Sequence, residues 1–168
     1  MAELGARLVG MLQAGAPWLG PLLAVAAFAE ALVVIGLFVP VTPLLVALGA
    51  GIASGLMRPG LLLWIMAGAF LGAFTSYELG RQFRARGRAA PRLRPKAQAA
   101  AQALFQRHGA AAIVLARFMG PPATVTPFLA GWSGLPRGRF AIANAVASVA
   151  WPPAMLAVGA LGALMFTS

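Results

Sequence analysis

Between residues 31 and 57, and again between 140 and 168, this chain carries no charged side chain. Three more uncharged runs cover residues 8–29, 59–77 and 118–136. A helix that spans a bilayer needs about 20 apolar residues, so several of these runs are long enough. Composition points the same way. Hydrophobic residues make up 61% of the chain and charged ones 10%, whereas a soluble domain carries about 25% charged residues. The chain therefore reads as an all-α integral membrane protein, and its 168 residues give room for one compact helical bundle.

Two of the runs are broken by proline at the same phrase. Val41-Thr42-Pro43-Leu44-Leu45 recurs as Val125-Thr126-Pro127-Phe128-Leu129, and each copy leads to a Ser-Gly-Leu turn with a basic residue, at Ser54 to Arg58 and at Ser133 to Arg137. One ionisable residue precedes each break inside apolar sequence, Glu30 in the first case and Arg117 in the second. Proline removes a backbone donor and restricts the residue before it. Pro40 and Pro43 in the first half, and Pro121, Pro122 and Pro127 in the second, are thus expected to break the helices. Irregular backbone at membrane depth survives only where protein or a wet cavity covers it. A pair of interrupted apolar segments in corresponding places points to a transport site between two membrane repeats. The expected architecture is a small polytopic bundle with two proline-broken re-entrant segments in a repeat arrangement.

Along the chain, residues 4–16 suit an interfacial amphipathic helix leading to Trp18. A cleaved signal peptide fits poorly, because Glu3 and Arg7 make a weak charged region and apolar sequence runs on to residue 39. Residues 18–80 form the first repeat: a segment over 18–39 with Glu30 near its middle, a short re-entrant piece over 44–53, and a spanning helix over 60–80. Residues 97–166 form the second, with an interfacial helix over 97–108, apolar pieces over 110–119 and 124–131, and a final span over 140–166 interrupted at Pro152-Pro153. The whole of 1–168 is read as a single membrane domain.

Net charge is +10. Seven of the 13 basic residues lie between Arg81 and Lys96 with no acid among them, which is what the positive-inside rule predicts for a cytoplasmic loop. Residues 81–96 are assigned to that loop, and nucleic acid is not expected as a partner. The chain has no cysteine and no aspartate, one histidine and three glutamates. No carboxylate or imidazole cluster for a metal can be assembled, no cofactor is implied, and no nucleophile elbow supports a serine triad. The chain is not expected to be an enzyme.

The ordered motifs resemble the DedA family, which includes the SNARE-associated Golgi (VTT) proteins. The matching residues are Glu30, Pro40, Leu44, Leu45, Gly49 and Gly55, then Gly68, Gly72, Tyr77, Gly80 and Arg81. They continue with Ala116-Arg117-Phe118, Pro127, Ala130-Gly131, Phe140, Asn144 and Trp151, over about residues 18–160. The resemblance implies two re-entrant hairpins meeting at mid-membrane, placement in a bacterial inner membrane, and movement of phosphorylated lipids such as undecaprenyl phosphate or a glycerophospholipid between leaflets. Some members it resembles couple to the proton gradient through buried acids. This chain departs from the pattern at Thr42, where a second acid is common, at Ala123, where a second arginine is common, and at Ala73, where an acid is common. The acid at 42 and the arginine at 123 are missing together, which fits the loss of a mutually neutralising pair and leaves ion coupling open. A membrane assembly or scaffold protein that has lost transport is the alternative, and a homo-oligomer remains open.

Within that reading Glu30 is a proton carrier or a structural partner of Arg117. Arg117 offers a fork of donors suited to phosphate oxygens. Helix N-termini after Pro43 and Pro122 would favour an anion, and Thr42, Thr124 and Thr126 would add hydroxyls. Asn144 caps a broken segment or touches substrate. Tyr77, Glu78 and Arg81 are expected as interfacial anchors, His108 as a helix-end residue, and Gly68-x3-Gly72 as a close-packing stripe. Trp64 and Trp132 are placed near interfaces.

Overall fold

Helix formation is strongest where the chain is apolar and free of proline, and the two longest helices fall there. The computed structural model describes residues 18–32, 60–89 and 95–167. In chain order these form α1 (Leu19–Ala31), α2 (Leu61–Ala85), α3 (Pro95–His108), a 3-10 turn (Gly109–Ala111), α4 (Ala112–Arg117), α5 (Pro121–Ser133) and α6 (Arg137–Thr167). No strand occurs among the described residues. The first broken phrase, with Pro40, Thr42 and Pro43, lies outside them, as do residues 4–16 and the first Ser-Gly-Leu turn.

α2 and α6 are long and apolar enough to cross a membrane. Their 25 and 31 residues correspond to about 37 and 46 Å, against a hydrocarbon core of about 30 Å. α1 and α5 have 13 residues each and α4 has six, about 20 Å and 9 Å, too short to cross alone. Large apolar side chains point outward on these helices, among them Leu22, Leu63, Leu71, Ile142, Val146 and Leu161, as lipid contact requires.

The first helix differs from the sequence expectation. It stops at Ala31, and Leu32 is already extended with φ −76° and ψ 132°, well before Pro40. Glu30 therefore sits in the last turn and not mid-segment. The helix end is held from the side, because the Ser76 hydroxyl of α2 donates to the Ala31 carbonyl at 2.9 Å, one of the carbonyls a helix end leaves without a partner. The prolines also divide differently from expectation. Pro121 and Pro122 open α5 after Gly120, which has φ +69°, so this break is where the sequence places it. Pro127 lies inside α5, and Pro152 and Pro153 lie inside α6, with both helices running through. In α5 the Thr126 hydroxyl donates to the Pro122 carbonyl four residues back at 2.7 Å.

Both α2 and α5 end in the same motif. The amides of Gly134 and Leu135 bond the carbonyls of Gly131 and Ala130, and those of Gly87 and Arg88 bond Arg84 and Phe83. Gly87 and Gly134 have φ +64° and +86°. This is the Schellman closure, in which glycine takes the left-handed position, and it explains the Ser133-Gly134-Leu135 turn.

α2 is the central strut, packed by α1, α5 and α6. A methyl group on Gly68 or Gly72 would overlap the Ala24 or Phe28 carbonyl of α1, and one on Gly80 or Gly131 would overlap the carbonyl of Phe128 or Tyr77 across the α2–α5 crossing. Around the strut, Leu23, Ala27, Ile65, Ala69, Trp151 and Leu156 form one core. Ala31, Ala73, Tyr77, Ile113, Ala130, Phe140 and Ala143 form a second. Ala101 joins Val125, Phe128 and Leu129 in a third, which seats α3 on α5. Gly131→Ala is expected to lower stability by about 1–3 kcal/mol through overpacking in reversible unfolding from detergent micelles. Gly138→Ala, where a methyl meets nothing within 4 Å, should be neutral or slightly stabilising. Equal behaviour of the two variants would refute the close α2–α5 approach.

Candidate functional site

Arg117 ends α4, where a cation is favoured by the helix dipole. The helix stops there because Gly120 takes a positive φ and two prolines follow. The guanidinium carbon lies 4.8 Å from the centre of the Trp151 ring of α6, within the range of a cation–π contact. Arg117 Nε and Nη2 are buried and have no hydrogen-bond partner among the described residues. Glu30, half-buried at the end of α1, is near enough to act on Arg117 electrostatically. The two ionisable residues singled out in the sequence are thus brought together, each at the C-terminal end of a short helix. An acid is disfavoured at such an end, so the neighbouring cation offsets what the helix dipole imposes on Glu30.

The other candidates are placed less centrally. Asn144 is buried, and its Nδ2 donates to the Phe70 carbonyl of α2 at 3.0 Å. Its Oδ1 accepts from Ser148 Oγ at 3.4 Å. It ties α6 to α2. Asn144, Ser148 and Trp151 lie at i, i+4 and i+7, one face of a helix, so α6 presents a polar seam that ends at the ring under Arg117. Thr126 has committed its hydroxyl proton within α5. Thr124 is half-buried in the first turn of α5, and Thr42 lies outside the described residues. The N-terminus of α5 also offers less to an anion than expected. Pro121 and Pro122 have no N–H to give, and the Ala123 amide donates to the Gly120 carbonyl at 2.9 Å. In the second half, the Arg117 side chain is the cationic group beside the break.

Tyr77 is not an interfacial anchor. It is fully buried, stacked on Phe140 with centroids 4.1 Å apart, and its hydroxyl donates to the Leu135 carbonyl. Glu78 accepts a fork from Arg137, with Nε and Nη2 both at 2.8 Å, and lies 3.5 Å from Arg81 Nη1. Sequence reasoning missed this pair, the role of Trp151 and the serines at 76 and 148. The regular spacing of 144, 148 and 151 was the available signal. The pairing of residues 78 and 137 had none, since it depends on how α6 crosses α2. His108 ends α3, followed by Gly109 at φ +55°, as expected. Trp64 is about half exposed, and the Trp132 indole donates to the Arg88 carbonyl at 3.0 Å.

Over the described residues these features define an all-helical membrane protein in which a half-buried acid and a guanidinium meet beside a proline break. The chain belongs to the VTT-domain, or DedA, family: the VTT domain matches residues 39–161. It is 32% identical over 132 residues to inner membrane protein YabI and 34% identical over 128 residues to inner membrane protein YghB, both of Escherichia coli strain K12. Those matches cover 76% and 73% of this chain, and 51% and 58% of the relatives. Inner membrane protein YqjA of the same strain is 34% identical over 118 residues, covering 68% of this chain and 54% of its own length. The chain thus spans about half the length of the curated relatives it matches. No solved structure matches it.

Asn144→Leu is expected to lower stability by about 1 kcal/mol, the scale of an interhelical hydrogen bond in lipid. In a double-mutant cycle with Ser148→Ala, a measurable coupling is the expected result. Strict additivity would mean that the 3.4 Å contact contributes nothing.

Proposed function

We propose that this protein carries the phosphate headgroup of a lipid across the bilayer, with Arg117 as the group that holds it. The observation that carries the reading is the pair of buried Arg117 nitrogens that no described protein group satisfies. A charged side chain at bilayer depth costs about 2.5–3.5 kcal/mol on insertion scales, and a donor buried without an acceptor adds to that cost. Two oxygens of a passing phosphate would satisfy both donors at once in the bidentate geometry guanidinium favours. Trp151 covers one face of the guanidinium, so a ligand would have to meet it at the edge that carries the buried Nε and Nη2. Glu30 then balances the charge while the site is empty, and its protonation state would couple transport to pH.

In this reading α4 and α5, each too short to cross, form one re-entrant hairpin. The Val41-Thr42-Pro43 phrase supplies its counterpart from the other repeat, and Thr42, Thr124 and Asn144 border the path. The basic segment 81–96 faces the cytoplasm, consistent with the positive-inside rule, in a bacterial inner membrane like that of the relatives. Tails stay in lipid while the headgroup crosses where the broken segments meet.

Translocation of a fluorescent phospholipid and of a polyprenyl phosphate in proteoliposomes tests the reading at two pH values. Wild type is expected to move a lipid phosphate. Arg117→Ala should lose at least tenfold in rate, and Arg117→Lys should recover little, because a point charge replaces a bidentate fork. Glu30→Gln should remove any pH dependence. A folded wild type that moves neither lipid would sink the transport reading and leave a scaffold role, and full activity of Arg117→Ala would remove this residue from the path.

A further inference from the structure

Three arginines meet where α2 ends and α6 begins. Arg81 and Arg137 both address Glu78, and the Arg84 guanidinium packs so closely on Gly134 that a methyl there would overlap it. Glu78 is the one acid among them, so two positive charges remain in excess. Arg137 spends Nε and Nη2 on the Glu78 fork, which leaves its Nη1 outside that fork. Arg81 Nη1 is buried and has no hydrogen-bond partner among the described residues, its 3.5 Å approach to Glu78 being an ion-pair distance. The corner is also rigid. Tyr77, stacked on Phe140 and bonded to the Leu135 carbonyl, fixes the start of α6 against α2, and the two Schellman closures set Arg84 and Gly134 in place.

We propose that this α2–α6 corner is a second binding site, separate from Arg117, for the phosphate of an anionic phospholipid. It does not rest on the transport reading. The charge excess and the unsatisfied Arg81 donor call for an anion with oxygens to accept. Position selects a lipid over a free phosphate. Trp132, bonded to Arg88 one turn away, marks the headgroup level, where indole rings settle. On the same two helices, Leu71, Ile142 and Val146 expose apolar surface that suits acyl chains. Arg81 is the inner donor, and Arg84 and Arg137 flank the phosphate, the arrangement by which basic groups at a helix end recognise acidic headgroups.

The test is native mass spectrometry of the delipidated full chain in detergent, titrated with dioleoyl phosphatidylglycerol or dioleoyl phosphatidylcholine. Phosphatidylglycerol is expected to bind about tenfold more tightly, the scale of one charge-assisted hydrogen bond. Arg81→Gln should bring the two lipids near parity, and Arg84→Gln should lower the preference about threefold. Arg86→Gln changes an exposed arginine outside the cluster and should leave the preference intact, with helicity by circular dichroism checking that each variant is folded. Equal affinity of wild type for both lipids would overturn the site. So would an Arg86→Gln variant as impaired as Arg81→Gln, which would mean undirected surface charge. Stoichiometric displacement of phosphatidylglycerol by millimolar inorganic phosphate would replace the lipid with a free-phosphate ligand.

Discussion

Backbone-to-backbone approach along α2 is the constraint on which the rest of this protein depends. Inside a bilayer, lipid tails are as apolar as leucine, so helices gain little by hiding apolar side chains from one another. Association then rests on dispersion at close range and on hydrogen bonds, and both need small residues at the crossings. Gly68 and Gly72 admit α1, and Gly80 with Gly131 admits α5. These approaches bring the Ser76 hydroxyl within reach of the Ala31 carbonyl. A bulkier α2 would lose that capping bond along with the packing, and with it the geometry that ends α1 at Glu30.

From that close packing follows the treatment of charge. Glu30 and Arg117 are ionisable groups set within long apolar sequence and away from the basic loop. The fold answers this by proximity and by covering one face of the guanidinium with Trp151. Among the described residues it does not answer the hydrogen-bonding requirement of Arg117 Nε and Nη2. A structure selected for stability alone would replace such a group by a well-packed apolar one, which is often neutral or better. An arginine whose Nε and Nη2 meet no acceptor among the described residues is consistent with the proposed role of Arg117.

Sequence reasoning reached the parts that periodicity and proline chemistry control. The membrane class, the two long helices, the helix over Pro95–His108, the break at Gly120–Pro122 and the convergence of Glu30 with Arg117 were all legible. Three kinds of feature were not. Pro127, Pro152 and Pro153 sit inside helices that run through them, as packed membrane helices tolerate, and no local signal separates such prolines from breaking ones. The early end of α1 was hidden because residues 32–39 are as apolar as those before them, and the Ser76 contact is remote in sequence. Tyr77 was misjudged because an aromatic beside charges suggests an interface, whereas its ring fills the core through Phe140, a partner 63 positions along the chain, in α6.

The two charged centres share α6. Arg137 opens the helix and meets Glu78, and Trp151, about 21 Å further along, lies under Arg117. Between them Asn144 fixes the register of α6 on α2 through the Phe70 carbonyl. A sliding or rotation of α6 that broke this bond would move both ends together, pulling Arg137 from its fork and the indole from the guanidinium. Since Pro152 and Pro153 deprive the helix of two backbone bonds just beyond the ring, bending there is easier than sliding at Asn144. The α6 geometry thus makes the stretch around Pro152-Pro153, next to the ring over Arg117, easier to bend than the Asn144 contact is to slide, which leaves the Arg137–Glu78 pair in place.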